Sequence, residues 1–163
     1  DWSSDVCSSD LMGGQAEPAE LVQVEDLATA LAGEGARGVS LGGCLIEPAS
    51  DTISIYREPG RTGLAVLTLQ PGIPVIWDGR FEVACASNCQ AAVEVRPLGG
   101  EAYAKLRTSL EPGRGIPARA ARTLPSFWSG DDLLAVPHLG LAAADATCSL
   151  DLTARFLGPK QRR

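Results

Sequence analysis

The first periodic pattern of apolar residues along this chain is helical. Over residues 16–33 they recur three and four positions apart, and Gly33 and Gly35 end the pattern. This spacing predicts a helix with one acidic, solvated side. The residues that carry the period are Leu21, Val24, Leu27, Ala28 and Leu31.

The next segments favour strands. The runs SLGGCLIEP and TISIYREP are separated by residues 49–51, Ala-Ser-Asp, and predict a hairpin from Val39 to Glu58. Pro59, Gly60 and Gly63 interrupt the pattern before LAVLTL, which again favours a strand.

Two tryptophan segments resemble each other. IPVIWDGRFEVA covers residues 73–84, and LPSFWSGDDLLAVP covers residues 124–137. In each, Asp-Gly or Ser-Gly follows the tryptophan and is typical of a tight turn, because glycine takes positive φ at no steric cost. We predict two hairpins, the first with strands near 73–77 and 80–86. A further strand is expected at 93–98.

Between the hairpins the pattern becomes helical. EAYAKLRTSL follows Gly99-Gly100 and places Tyr103, Leu106 and Leu110 on one face, and Pro117 begins a second short helix, ARAARTL. A strand-rich tail ends in LDLTARFL. The fold class predicted is α+β, with short antiparallel hairpins and a few helices. The expected organisation is a linker helix (12–36), a β-rich subdomain (37–98) and an α+β subdomain (99–163).

Residues 1–11, DWSSDVCSSDL, look like a translated sequencing adapter. We therefore expect an artefactual tail in front of a fragment whose true N-terminal part is missing. Without Asp1, Asp5 and Asp10, the 14 basic residues face 17 acidic ones, and the net charge changes from −6 to −3.

Composition indicates a folded, cytoplasmic protein. The sequence is 45% hydrophobic, which is enough for a core, and no segment approaches the ~20 apolar residues of a membrane span. Cys7 belongs to the tail. Cys85 and Cys89 lack a second pair, and Cys44 and Cys148 stand alone, so buried thiols are favoured over a zinc site.

Catalytic patterns are weak. His138 is the only histidine, and no nucleophile stands beside it. Asp131 and Asp132 are adjacent carboxylates, a pattern typical of a solvated turn. A small hydrolase using these three residues is the least favoured function. Neither a GxGxxG nor a GxxxxGK[ST] phosphate loop occurs.

Cations cluster between residues 96 and 122, where six arginines and lysines face only Glu101 and Glu111. Arginine grips phosphate through a bidentate fork, so this stretch could bind nucleic acid, although a solvated helix surface explains the charge equally well. Tyr103, Phe127 and Trp128 could stack on bases, but their apolar period favours the core.

Read together, the segment KLRTSLEPGRGIPARAARTLPSFWSGDDLLAVPHLGL, residues 105–141, resembles the C-terminal region of bacterial tRNA(Ile)-lysidine synthetases. The matching elements are Lys105-Leu106, Gly115-Ile116-Pro117, Arg119 with Arg122, Leu124-Pro125, Phe127-Trp128, Gly130-Asp131 and Leu133 to Pro137. Upstream pieces look like the alphaproteobacterial branch: Gly42-Gly43-Cys44, Arg57-Glu58-Pro59, residues 77–81 and residues 95–99. The likeness covers about residues 20–145.

The resemblance implies a parent ligase that uses ATP and Mg²⁺ to adenylate the wobble cytidine of isoleucine tRNA, after which lysine displaces AMP. Its catalytic Ser-Gly-Gly-x-Asp-Ser loop is absent from this chain. We expect a fragment with no catalytic residue, no cofactor and no metal, which helps to hold isoleucine tRNA and binds neither DNA nor membrane. A homodimer could form through the parent protein. The alternative is a protein-interaction module.

As a hypothesis, eight cations form the phosphate-contacting surface. They are Arg57, Arg80, Arg96, Lys105, Arg107, Arg114, Arg119 and Arg122.

Overall fold

The chain contains both helices and antiparallel strands, which confirms the α+β prediction. The computed structural model describes residue 13 and residues 20–33, 37–49, 52–110, 116–142 and 151–157. The predicted tail, residues 1–11, lies outside them. The described residues up to Arg61 form one compact unit, and those from Thr62 to Leu157 form a second. The predicted subdomain limits stay a prediction.

The first unit contains one helix and one sheet. Helix α1 spans Leu21–Ala32 and begins at a capping box, in which the Gln23 side chain accepts a hydrogen bond from the Glu20 backbone N–H at 3.1 Å. The antiparallel sheet orders β1 (Val39–Leu41), β2 (Cys44–Pro48) and β3 (Ile53–Arg57). The helix is confirmed, and the expected hairpin is present as β2 and β3. The first run also reverses at Gly42-Gly43 to form β1, which was not predicted.

Helix α1 buries little of its apolar period among the described residues. Leu21 is 72% exposed and Val24 is 38% exposed, whereas Leu27 and Leu31 are partly covered. The helix contacts β1. The spacing therefore identified the helix, while most of its apolar face remains open in the described part of the chain.

The second unit is built from two antiparallel sheets. The larger orders β10 (Leu141–Ala142), β9 (Asp132–Val136), β8 (Pro125–Ser129), β7 (Glu94–Pro97) and β4 (Leu67–Thr68). The smaller orders β11 (Thr153–Phe156), β6 (Phe81–Ala84) and β5 (Val75–Trp77). The expected strand in LAVLTL is thus reduced to the two residues of β4.

The main core of this unit forms from side chains of both sheets. Trp77, Val83, Val95 and Phe127 are completely buried in it. Such large apolar groups each stabilise the fold by roughly 2–3 kcal/mol through removal from water.

Two helices cover a second, smaller core. Helix α2 spans Gly99–Leu106, and α3 is the single turn Ala118–Ala121, which Pro117 precedes as expected. Tyr103 is buried on the predicted face of α2, and its hydroxyl donates to the Ile116 carbonyl at 2.7 Å. This bond holds the segment that enters α3 against α2.

The two tryptophan hairpins differ in their turns. After Trp77, Asp78 and Gly79 both take positive φ, 52° and 64°, and Arg80 N donates to Trp77 O, as expected for this turn. After Trp128, the chain reverses at Gly130 and Asp131 rather than at Ser129-Gly130, since Ser129 still pairs with Asp132. A bulge shifts the register between Phe127 and Trp128.

Three cysteines, Cys44, Cys85 and Cys89, are buried free thiols. Burial and the neighbouring Cys89 thiol raise the pKa of Cys85. Cys7 and Cys148 lie outside the described residues. Within the described ranges, no group of three or more His, Cys, Asp or Glu side chains could hold a metal ion. No helix in those ranges is long and apolar enough to cross a membrane.

Candidate phosphate-binding surface

Four exposed cations of the second unit lie on α2 and α3 or at their ends. Lys105 is in the last turn of α2 and Arg107 caps that helix, while Arg119 is in α3 and Arg122 caps it. All four are exposed. Four of the predicted phosphate contacts are therefore exposed on two helices that contact each other.

Backbone bonds fix how the two helices meet. Gly99 N donates to Arg122 O, and Leu98 N donates to Leu124 O, both at 3.0 Å. The Arg122 guanidinium lies over Gly100, where an added Cβ would stand 3.2 Å from Nε. The start of α2 and the end of α3 are consequently one local structure, with Arg122 across it.

Lys105 also has a partner on its own helix. Its ammonium donates to Glu101 Oε1 at 2.8 Å, one helical turn away, and both side chains are exposed. The hydrogen bond and the positive charge of Lys105 lower the pKa of Glu101. Lys105 is therefore a weaker phosphate ligand than its exposure alone suggests, since the carboxylate competes for it.

The guanidinium groups of Arg57 and Arg80 form hydrogen bonds with other groups of the protein. In the first unit, Arg57 Nη1 donates to the carbonyls of Gly43 at 2.9 Å and Glu58 at 2.7 Å. In the second, Arg80 is only 2% exposed, and its Nε donates to Asp78 Oδ2 at 2.6 Å. A phosphate could reach Arg80 only after the structure opened.

Arg80 nevertheless influences the basic surface. Its Nη2 donates to the Thr123 carbonyl at 2.8 Å, one residue after Arg122. It is a positioning residue that ties the β5–β6 turn to the end of α3. Because the bonded residues are 43 positions apart, the sequence offered no local sign of this role. Arg114 lies outside the described residues.

Arg96 combines an internal contact with partial exposure. Its guanidinium carbon lies 4.2 Å from the centroid of the Trp128 ring, and Nη2 donates to Gly130 O at 2.6 Å. The Trp128 indole N–H donates to Ser126 Oγ, and that hydroxyl donates to Arg96 O, each at 2.7 Å. Arginine and tryptophan are thus held as a stacked pair, which required the strand register and was missed from sequence.

The aromatic residues divide by burial. Tyr103 and Phe127 are buried, as expected for core residues. The expectation was wrong for Trp128, which is only partly buried. The reason is the alternation of β8, which directs Phe127 into the main core and Trp128 to the opposite face of the sheet.

The candidate hydrolytic residues do not converge. Asp131 and Asp132 are exposed at one end of β9, and His138 follows its other end. Four strand steps of about 3.3 Å place these ends roughly 13 Å apart.

His138 instead packs against an aromatic ring. It meets Phe81 edge to face, with 5.1 Å between ring centroids. Loss of hydration lowers the pKa of His138, and the charge of Arg80 lowers it further. This environment favours a neutral imidazole, although His138 remains exposed.

Comparison with known proteins connects the chain to one curated relative. It is 35% identical over 131 residues to a tRNA(Ile)-lysidine synthase of Ruegeria pomeroyi (strain ATCC 700808 / DSM 15171 / DSS-3). The match includes 80% of this chain and 29% of the relative, so the chain spans less than a third of that protein. No family model and no solved structure matches the chain. The resemblance seen in the sequence is confirmed as homology to part of the relative.

Proposed function

We propose that this chain, a homologue of part of a tRNA(Ile)-lysidine synthase, is the C-terminal, tRNA-holding portion of such a ligase. The parent enzyme would use ATP, with Mg²⁺, and lysine to convert the wobble cytidine of isoleucine tRNA to lysidine in the cytoplasm. This portion would bind and orient the tRNA while the chemistry takes place elsewhere in the parent protein.

The observation that carries the proposal is the exposed basic surface on α2 and α3. Arg107, Arg119 and Arg122 are exposed there, and the backbone bonds around Gly99 fix the junction of the helices. Phosphate contacts of this kind position a nucleic acid without reading its sequence. A role in holding tRNA fits this surface better than a catalytic role, since His138 and the two carboxylates, Asp131 and Asp132, lie at opposite ends of β9.

The test measures retention of isoleucine tRNA on filters by the full chain at low and moderate salt. Binding should weaken steeply as salt rises, because each neutralised phosphate releases counterions. Replacing both Arg119 and Arg122 by Gln should weaken binding at low salt and reduce the slope of log affinity against log salt by about one to two.

Arg37→Gln with Arg61→Gln is the matched control. Both arginines are exposed in the first unit, so this pair removes the same charge without altering α2 or α3. Absent or salt-independent binding would contradict the proposal, and so would equal losses in the two double variants.

A second measurement addresses catalysis. The chain should form no lysidine when incubated with isoleucine tRNA, ATP, Mg²⁺ and lysine, since no catalytic residue is assigned to it. Lysidine formation that persists after repurification would show that it contains catalytic groups.

The exposed apolar side of α1 favours protein interaction as a second candidate function. Leu21 and Val22 are 72% and 63% exposed. A partner captured from a nuclease-treated lysate, and lost in a Leu21→Ser, Val22→Ser variant, would support this function. Unchanged capture by the variant would remove α1 as the binding element.

A further inference from the structure

The stacked pair of Arg96 and Trp128 has no part in phosphate binding through α2 and α3. The two residues are diagonal neighbours on adjacent strands, since Arg96 pairs with Ser126 and Glu94 pairs with Trp128. Diagonal positions lie within reach of long side chains on one face of a sheet. The other face of these strands carries Val95 and Phe127, which are completely buried in the main core.

Hydrogen bonds hold both planes in place. The Trp128 indole N–H is occupied by the completely buried Ser126, and the Arg96 guanidinium is bonded to the carbonyl of Gly130. Neither ring nor guanidinium can turn without losing a bond. The result is an ordered pair of flat surfaces, one aromatic and one cationic, each partly exposed.

The position of this pair relates it to the basic surface. Arg96 stands three residues before Gly99, whose N–H is bonded to Arg122 O. Three residues span at most about 10 Å, so the Arg96 backbone lies within that distance of Gly99, and Trp128 lies opposite Glu94, two residues further along β7. A strand of RNA that crosses this junction could therefore also reach Arg96 and Trp128.

The charges near the Arg96–Trp128 pair differ from those on the basic surface of α2 and α3. Glu94 pairs with Trp128 across the strands, and Asp131 lies in the exposed turn of the same hairpin. These carboxylates repel phosphate but accept hydrogen bonds from base amino groups. The area around the pair thus suits a base better than a backbone.

We propose that the Arg96–Trp128 pair is a stacking site for an unpaired RNA base, next to the phosphate-binding surface. The inference rests on the proposed RNA-binding function and adds to it a site that engages bases. Stacking on aromatic or guanidinium planes tolerates any base, since every base has a π face.

The test compares two single-stranded RNA probes of eight nucleotides, oligoadenylate and the same backbone with abasic sites. Both carry the same phosphates, so their affinity ratio measures the contribution of the bases. The wild-type chain should bind oligoadenylate about tenfold more tightly, within the usual range for base stacking. Binding should also change the fluorescence of Trp128.

Variants then assign the ratio to the pair. Trp128→Leu should bring it close to one, whereas Trp128→Phe keeps an aromatic plane and most of the ratio. Arg96→Lys keeps the charge, loses the plane and should lower the ratio. Arg155→Lys is the control, because this exposed arginine contacts Glu82 on another sheet. Circular dichroism establishes that each variant is folded.

Each outcome decides between the alternatives. A wild-type ratio near one, or a tenfold ratio retained in folded Trp128→Leu and Arg96→Lys, overturns the stacking site. If the Arg119, Arg122 double variant weakens both probes equally while the ratio persists, both proposals stand. If neither probe nor isoleucine tRNA binds the wild type, both proposals fail for this chain.

Discussion

The Trp77 and Trp128 hairpins have similar sequences but face different surroundings. Trp77 is completely buried, and its indole N–H donates to Ala65 O at 2.8 Å. Trp128 is partly exposed, and its partners Ser126 and Arg96 lie on its own sheet. The nearby arginines differ in burial in the same way. Arg80, near Trp77, is buried with Asp78, whereas Arg96, near Trp128, is partly exposed.

This difference shows that a local motif fixes a turn without fixing what its side chains do. The Trp77 hairpin belongs to the sheet of β11, β6 and β5, and its Trp77, Phe81 and Val83 side chains pack in the main core. In the other hairpin, Phe127 occupies the core position and leaves Trp128 on the opposite face. One hairpin is therefore mainly a packing element, while the other leaves an aromatic group within reach of a ligand.

The largest difference is expected from removing each tryptophan. Trp77→Ala should lower the free energy of unfolding by about 4 kcal/mol, because it removes a large buried group and leaves a cavity. Trp128→Ala should cost only about 1–2 kcal/mol, because part of its ring is already in water. Urea unfolding followed by circular dichroism measures both. Equal losses would show that the two hairpins contribute equally to the core.

The next effect separates the two arginines. Arg80→Met should cost about 3 kcal/mol, since it leaves the Asp78 carboxylate buried without its cation. Adding Asp78→Asn should recover part of that loss, and asparagine tolerates the positive φ of this position. Arg96→Met should cost at most about 1 kcal/mol, as for an exposed cation–π pair. A larger loss from Arg96→Met in chemical unfolding would reverse this assignment.

A smaller effect concerns the Trp128 turn, where glycine occupies a position that Asp78 occupies in the other hairpin. Gly130 has a φ of 56°, and space for a Cβ is available. Gly130→Ala should therefore cost about 1 kcal/mol through backbone strain alone, and Gly130→Asn should cost less. Thermal unfolding of the two variants tests this order. Equal melting temperatures for wild type and Gly130→Ala would exclude strain at this turn.

The smallest effect is a pH dependence in the neighbourhood of the Trp77 hairpin. The folded pKa of His138 is lowered, so the stabilisation from the neutral ring is complete above the ordinary histidine pKa of about 6.5. It is lost as pH falls from there through the lowered folded pKa, because the unfolded chain takes up the proton first. His138→Phe should show a shallower decline in melting temperature between pH 8 and pH 5. Parallel declines would assign the acid sensitivity to other groups.

Sequence predicted those parts of the fold that depend on near neighbours. The Asp78-Gly79 turn, the strand-turn-strand from Cys44 to Arg57 and the start of α3 after Pro117 all follow from residues within a few positions. The turn after Trp128 lies one residue later than predicted, because Ser129 still pairs with Asp132 and leaves Gly130 and Asp131 to form the turn. That register depends on packing between strands, which turn residues alone do not determine.

The candidate site was predictable in its charge and less so in its geometry. Arg107, Arg119 and Arg122 are exposed as a phosphate-binding role requires. Arg80 has the same charge but donates to a carbonyl 43 residues away, and no local pattern could show that contact. The Arg96–Trp128 stack likewise depends on the pairing of β7 with β8. These strands are separated by 27 residues in sequence, and Pro97 pairs directly with Pro125.

Strand β11 has a consequence for the order of folding. It pairs residues 153–156 with residues 81–84, and Leu157 N donates to Arg80 O at 2.7 Å. Contacts so distant in sequence carry a high loop-closure cost and form slowly. During synthesis, the edge of β6 must wait until about seventy further residues have left the ribosome. Until then the Trp77 hairpin has an open strand edge, which can pair with other chains and aggregate.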